Sequence, residues 1–580
     1  MKIKNTKNLI TKIGLSFLFL LFLTGCGETV IISDPPAPTP AASTLTVPEF
    51  SAEGGFYDVP FTLILSCETG NTIYFTTDGS DPRTSTTATV YTSGISIYDN
   101  TNDPNIYSAI TAITLGDYYP PQYKIDKGIT IRAALKAPDG GYSNVVTNSY
   151  FVGKSASYYS KLKVISMVTD SSYLFHRDTG AYMIGSKYYE WRKSDDFVQY
   201  DSGDVQNVTN YNTKGRESEF PVTIQVFENG KAVYSTNVGA RISGNWSRSH
   251  AQKSFRFYAR KEYGDGNMDY SFFDELTDVN GEPIVSFDKV TVRNGGNDYQ
   301  ELHFRDALIH NLTKDLAFDV MAAEPCILFI NGEFWGFYQI REKTDGNYIE
   351  SHYGIPKEDV AIIKNSEIEE GTETDLEEFR NFCIWAASAD MTQELNYQKF
   401  CDSMDVQSLM DYVAVETYIN NADWAKGYGN NWQAWRARTV NPELPKADGK
   451  WRFILYDTEY SSGLYGQMET QYDYDLLNYM DAGDTDFNIP DIVRNLCTNP
   501  AFLQAFYDNY VRIMESCFDP NLVCEMIDTY ADTYGAATKD TLNRFGLDWA
   551  ANNYDGEVSE LKEFFQLRPE YAKRYLDNFH

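Results

Sequence analysis

Two Asn-Gly dipeptides constrain this chain more than any other feature. Asn229-Gly230 divides the stretch "FPVTIQVFENGKAVYSTNVGARIS", and Asn331-Gly332 divides "CILFINGEFWGFYQI". Asparagine and glycine both tolerate positive φ, and a two-residue turn of that kind matches the twist of the strands it joins. Each stretch therefore predicts an antiparallel hairpin, in a mixed α and β region that starts near Ser160. Around the hairpins, "HFRDALIHNLTKDLA" (303–317) repeats Phe304, Leu308, Leu312 and Leu316 at intervals of four and predicts a helix. "SLMDYVAVETYI" (408–419) predicts a buried helix, and "WRFILYD" (451–457) a buried strand that ends on a carboxylate. From Pro490 onward the pattern is mostly helical.

Residues 48–153 carry a different pattern. Short β-branched and aromatic runs ("FTLILS", "TIYFTT", "ITIRAAL", "NSYFV") alternate with turn clusters such as "DGSDP" and "PDGG". Such spacing predicts a β-sandwich. The core "YFTTDGSDP" (74–82) and its flanking strands resemble the chitobiase C-terminal type of immunoglobulin-like module. That resemblance implies a spacer or an accessory sugar binder.

Lys2, Lys4, Lys7 and Lys12 precede an apolar run over 13–23 that is too short to span a membrane and fits a signal-peptide core. The run ends in "LTGC", which resembles a bacterial lipobox; cleavage before Cys26 and lipidation of its sulfur are expected. Residues 1–25 would then be signal peptide. Residues 26–45, rich in Pro and Ala, would be a tether holding the protein at a bacterial membrane, outside the cytoplasm. Seven further cysteines lack CxxC or zinc spacing, and the six histidines form no HExxH, so a zinc enzyme is not expected. The net charge of −33 argues against a nucleic-acid partner.

The chemistry concentrates in "NNADWAKGYGNNWQAWR" (420–436). A helix leads into a loop with Asp423, then Asn430 and Asn431, and a strand follows that ends at Asp457, with Glu459 two residues on. One carboxylate beside an acceptor hydroxyl, and an amide oxygen with a second carboxylate for magnesium, is what phosphoryl transfer asks for. Trp424, Trp432 and Trp435 are expected to pack beneath this loop.

Six ordered stretches strengthen the reading: "KGRESEFPV" (214–222), "GARISGNWSRSHAQKSFRFYAR" (239–260), "VRNGGNDYQELHFRDALIHNL" (292–312), "LFINGEFWGFYQIREKTDGNYIESHYG" (328–354), the 420–436 loop and "KWRFILYDTEY" (450–460). Over residues 160 to about 475 they resemble the CotH family of atypical secreted kinases. The resemblance implies an α+β fold, a protein-kinase-like atypical two-lobed domain over 160–580 preceded by the β-sandwich of 46–153. It also implies ATP and Mg²⁺ or Mn²⁺ as cofactors and a surface protein as substrate. Polysaccharide is a further partner suggested by the sandwich.

Residue by residue, the resemblance makes Asp423 the acidic catalytic-loop residue that would orient or deprotonate the acceptor hydroxyl, and Asn430, Asn431, Asp457 and Glu459 the metal ligands. Arg241, Arg248 and Lys253 would meet phosphate, Lys253 as the kinase-like strand lysine and Asp306 as its carboxylate partner. "REKTD" (341–345) is a hallmark of the family without a derivable role. Two departures stand out, the inserted "AKGYG" and Glu459 where Asp is common, and they support an alternative: a catalytically inactive kinase-like surface protein that binds carbohydrate or a protein partner.

Overall fold

The computed structural model describes residues 45–154, 157–425 and 429–579. The signal peptide, the tether and lipidated Cys26 lie outside the described residues, as does most of the "AKGYG" insertion. The chain is a mixed α+β protein.

In its first part, strands Gly55–Tyr57, Val146–Val152, Ile129–Lys136, Thr72–Thr76 and Thr89–Val90 form a sheet in that order. Phe61–Leu63 pairs with Ile95–Ile97, and Glu49–Phe50 with Leu65–Ser66, to make the opposing face. Leu63, Leu65, Ile97, Ile131, Leu135 and Tyr150 pack between them, as alternation along short strands dictates. This sandwich is not a loose spacer. Its sheet joins the next one through the pair Gly55–Lys231. The Glu333 carboxylate accepts the backbone N–H groups of Ile106 (2.5 Å) and Ser108 (2.8 Å). Gly79, in "TTDGSDP", has φ +83°, and a Cβ there would overlap the carbonyl of Thr169 and the side chain of Asn331. The turn is glycine because the neighbouring backbone passes against it.

Both Asn-Gly hairpins form. Asn229 and Gly230 have φ of 49° and 77°, Asn331 and Gly332 of 48° and 84°, the two positive values that a type I′ turn needs. Strands Phe220–Glu228 and Lys231–Ser243 flank the first turn, Ala323–Ile330 and Glu333–Arg341 the second. Lys163–Val168 lies between the hairpins, antiparallel to Phe220–Glu228 and parallel to Ala323–Ile330. Lys289–Arg293 and Ser254–Tyr258 continue the order to Lys231–Ser243, which pairs back onto Phe220–Glu228, so the strands close on themselves. Met167, Ile224, Val238, Phe257, Val292 and Leu328 fill the inside.

A second sheet, in the order Glu367–Glu370, Val360–Lys364, Trp432–Ala437, Arg452–Leu455, follows. It packs on helices Glu373–Ser388 and Val406–Tyr418. Helices Ile489–Leu496, Pro500–Glu515, Pro520–Arg544 and Asp548–Asp577 complete the core. The helix expected over 303–317 is shorter, Arg305–Leu312. Its apolar period continues, but the Ala317 N–H donates to Asp411 Oδ2 and the Asp319 N–H to the Phe453 carbonyl. Those bonds draw the chain off the helix axis.

Candidate active site

The 420–436 segment is held from both ends. Asp405 caps the helix Val406–Tyr418, whose end brings in Asn420 at φ 55°. Asn420 is fully buried, its Nδ2 donating to the Gln471 and Tyr474 carbonyls and its Oδ1 accepting from Arg568. Asn421 Nδ2 donates to Glu416 (2.8 Å) and to the Asp457 carbonyl (3.0 Å), tying the loop to the strand end. Trp424 is buried beneath the loop, as expected; Trp432 and Trp435 are buried too, but on the strand Trp432–Ala437. Trp435 Nε1 donates to Asp319 at 2.6 Å. Asn420 and Asn421 thus anchor the start of the loop, each amide spanning two or more groups, with the Trp424 indole filling the space below.

This loop opens into a cleft of about 1010 Å³. Asp423, Asn430, Asn431 and Asp457 all line it. Asn431 Nδ2 lies 3.5 Å from Asp423 Oδ2, and the Asp423 N–H donates to Asn421 Oδ1. The walls carry six Lys or Arg against five Asp or Glu, so the cleft is slightly positive inside a chain whose net charge is −33. Fields of one sign focused in a cleft attract anions. Gly244, Asn245 and Ser247 lie at its rim, on the turn after the strand Lys231–Ser243.

The expected phosphate residues are placed differently. Lys253 has no exposed surface; its ammonium donates to the Arg248 carbonyl (2.6 Å) and the His250 carbonyl (2.8 Å) and sits 3.9 Å from the Tyr211 ring centroid. It braces the 244–253 turn from inside and does not line the cleft. Arg241 is held by Glu219, which also pairs with Arg260, and lies over the Tyr258 ring. It lies outside the cleft as well. Arg248 reaches the cleft wall, but its guanidinium donates to the Gly244, Tyr211 and Thr213 carbonyls. Asp306 pairs not with Lys253 but with Arg341 of "REKTD". Burial pushes the Asp306 carboxyl up, yet Arg341 and His310 outweigh it and hold the group well below the usual carboxylate range. Asp306 Oδ1 also accepts from the Thr458 N–H (3.1 Å) and hydroxyl (2.9 Å), fixing the residue between Asp457 and Glu459.

Besides Arg248, the cations that line the cleft are Lys214, Arg256, Arg293, Lys343 and Lys364. Arg293 bridges the two acids, Nη2 to Asp457 Oδ2 at 2.9 Å and Nε to Glu459 Oε1 at 2.7 Å. Lys343 pairs with Glu369, and Lys364 lies over the Tyr456 ring. Arg293 and Lys343 belong to motifs visible in the sequence, "VRNGGN" and "REKTD"; nothing in their spacing says that the fold turns them toward Asp457.

Glu459 is a framework residue. It is buried, with Oε1 on Arg293 and Oε2 accepting the Asn297 N–H at 2.8 Å. Gly296 makes that possible: its φ is 52°, and a Cβ would overlap the Glu459 carboxylate. Gly296→Ala is therefore expected to displace Glu459 and lower stability by at least ~2 kcal/mol through strain and lost charge-assisted bonds. A urea unfolding midpoint equal to that of the unmodified chain would contradict this.

No group of three or more His, Cys, Asp or Glu is arranged for an ion among the described residues. Magnesium, however, commonly takes one or two carboxylates together with phosphate oxygens. Asp457, whose Oδ1 accepts only a long bond (3.4 Å) from the Glu459 N–H, fits such a set together with an asparagine amide oxygen. Glu459 does not fit, because both its oxygens are bonded within the protein.

Under the loop, Glu416 has no exposed surface, and its Oε2 accepts from Asn421 Nδ2. Burial pushes its carboxyl up to about 8, partly opposed by the Asn421 amide. A carboxyl protonated when folded and ionised when unfolded makes stability fall as pH rises from the unfolded value toward 8, by at most ~1.4 kcal/mol per pH unit. Glu416→Gln is expected to remove that slope. Unfolding by urea at several pH values between 5 and 8 would show it; parallel slopes for both proteins would sink the idea.

Comparison with known families gives two matches. The family model described as CotH kinase protein covers residues 240–572, and that of the chitobiase/beta-hexosaminidase C-terminal domain covers residues 52–112. The first includes the entire 420–436 loop and the helices after Pro490, but starts after Lys163–Val168 and Phe220–Glu228, which close the barrel-like sheet. No curated protein matches the chain.

Proposed function

Since the chain belongs to the CotH kinase protein family, we propose that it is a phosphotransferase moving the γ-phosphoryl group of ATP to a Ser or Thr hydroxyl of a surface protein. The observation that carries this is the meeting of Asp423, Asn430, Asn431 and Asp457 in one basic cleft. In this reading the first sheet and the second sheet act as the two lobes of an atypical kinase.

Asp423 would orient the acceptor hydroxyl and take its proton. The acceptor oxygen bonds to the γ-phosphorus as the bridging bond to the β-phosphate breaks, and ADP leaves. Asp457 and an amide oxygen of Asn430 or Asn431 would hold Mg²⁺ or Mn²⁺, which neutralises phosphate charge when bound. Arg256, Lys343 and Lys364 would neutralise the rest. Lipid attachment at Cys26 would place this activity at a membrane surface outside the cytoplasm.

One observation favours the alternative of an inactive scaffold: Arg293 occupies Asp457 Oδ2 as a metal ion otherwise would. Incubation of residues 46–580 with γ-labelled ATP, either metal and a membrane-protein extract separates the two. Transfer of label to protein supports the enzyme. Folded protein that neither binds nor turns over ATP refutes it.

A further inference from the structure

The turn 244–253 has two sides. Residues 244–248 line the basic cleft, while Ser249, His250 and Gln252 line a second cavity of about 440 Å³. Segment 296–303 divides likewise: Asn297 faces the cleft, and Tyr299 and His303 face the second cavity. The far walls come from the sandwich part, with Asp117 and Tyr119, and from the junction of helices Pro520–Arg544 and Asp548–Asp577, with Phe545 and Trp549. Four segments distant in sequence thus enclose one space.

The chemistry of this space is specific. His303 Nε2 lies 2.7 Å from the Tyr299 carbonyl. A carbonyl only accepts, so Nε2 carries the proton and Nδ1 presents a lone pair. His303 Nδ1 is buried without a hydrogen-bond partner among the described residues, and so is His250 Nδ1. Burial pushes both imidazoles down, to about 3 for His250 and about 4 for His303, so both are neutral at physiological pH. The His250 ring is held flat against Tyr299, with centroids 3.8 Å apart. His303 itself adopts φ 63°, a conformation a non-glycine residue keeps only when its surroundings enforce it.

Two buried ring nitrogens therefore lack a partner: His303 Nδ1 is an acceptor, and His250 Nδ1, whose tautomer no bond within the protein fixes, can accept or donate. An exposed carboxylate, Asp117, adds a further acceptor, and the exposed rings of Trp549 and Tyr119 supply flat apolar faces. Acceptors beside aromatic faces suit a ligand with several O–H donors on one edge and C–H groups on its face. An anion is disfavoured by Asp117, so the ligand differs in class from that of the basic cleft.

We propose that this cavity is a binding site for a neutral sugar of one or two rings, its hydroxyls donating to His303 and Asp117, one of them hydrogen-bonded to His250, and one ring face lying on Trp549. The site does not depend on the phosphotransferase reading, and it lies apart from the core of the β-sandwich.

The test is calorimetry and ligand-detected NMR on residues 46–580 with glucose, N-acetylglucosamine, maltose and cellobiose, without nucleotide. Saturable binding by at least one sugar is expected. Trp549→Ala and Asp117→Asn, both at exposed positions, are each expected to weaken it at least ~10-fold, the ratio equivalent to one aromatic or hydrogen-bonding contact. His303→Asn tolerates the positive φ and is expected to weaken it too, with folding checked by circular dichroism. Binding of none of the four sugars by the folded chain overturns the assignment. So does binding that Trp549→Ala and Asp117→Asn leave unchanged, which would locate the sugar elsewhere, for example on the sandwich.

Discussion

Asp423→Asn and Asp457→Ala are each expected to lower label transfer from γ-labelled ATP by two to four orders of magnitude, a range of about 10² to 10⁴ typical for losing a positioned acid–base group or a charge at the reacting phosphate. The two variants should differ in kind. Asp423 lines the cleft from the loop, and its loss should leave nucleotide affinity nearly unchanged while turnover falls. Asp457 is the carboxylate suited to a metal ion, so its loss should weaken metal-dependent ATP binding as well. Equilibrium dialysis with labelled ATP, run beside single-turnover transfer, distinguishes these outcomes. Transfer that persists at the unmodified rate in either variant would show that the cleft is not where the chemistry occurs.

The second large effect is structural. Arg293→Met is expected to destabilise the protein by about 3–5 kcal/mol, because it leaves buried Glu459 without its cation. The Asp457 end of the bridge is less buried and should contribute less. Arg293→Lys should recover only part, since an ammonium cannot span the 2.9 Å and 2.7 Å contacts in the planar geometry of a guanidinium. Replacing Glu459 by Gln in the Arg293→Met background should restore stability by removing the unpaired charge. If urea unfolding gave the same midpoint for Arg293→Met as for the unmodified chain, the bridge would not be what holds this end of the cleft.

Much of the local structure was legible in the residues. The hairpins followed from Asn229-Gly230 and Asn331-Gly332 because turn type is a property of two residues and their flanking strands. The helix Val406–Tyr418 followed from its apolar run and the strand Arg452–Leu455 from its short buried pattern. The convergence of Asp423, Asn430, Asn431 and Asp457 followed from the order of these elements and from resemblance, and the four residues do line one cleft. Lys253 and Arg241 were misread for a shared reason. Each stands in a basic, glycine-containing stretch, but a cation's role depends on which acceptors surround it. The carbonyls of Arg248 and His250 enclose Lys253, and Glu219, some twenty residues upstream, holds Arg241.

The sequence by itself determined the two hairpin turns, the helix Val406–Tyr418 and the strand Arg452–Leu455, which family they form, and which loop carries the acid and amide side chains. These depend on backbone preferences and periodicity, which act over a few residues. Only the tertiary structure decided what each charge meets. Arg293 reaches Asp457 and Glu459 across more than 160 residues, Arg341 reaches Asp306, and Asp306 holds Thr458. It also decided that the sandwich, the 249–252 turn and the last two helices enclose one cavity. Such pairings are set by closure of the sheets and burial of the core, and no local pattern encodes the neighbour a side chain will have once water is excluded.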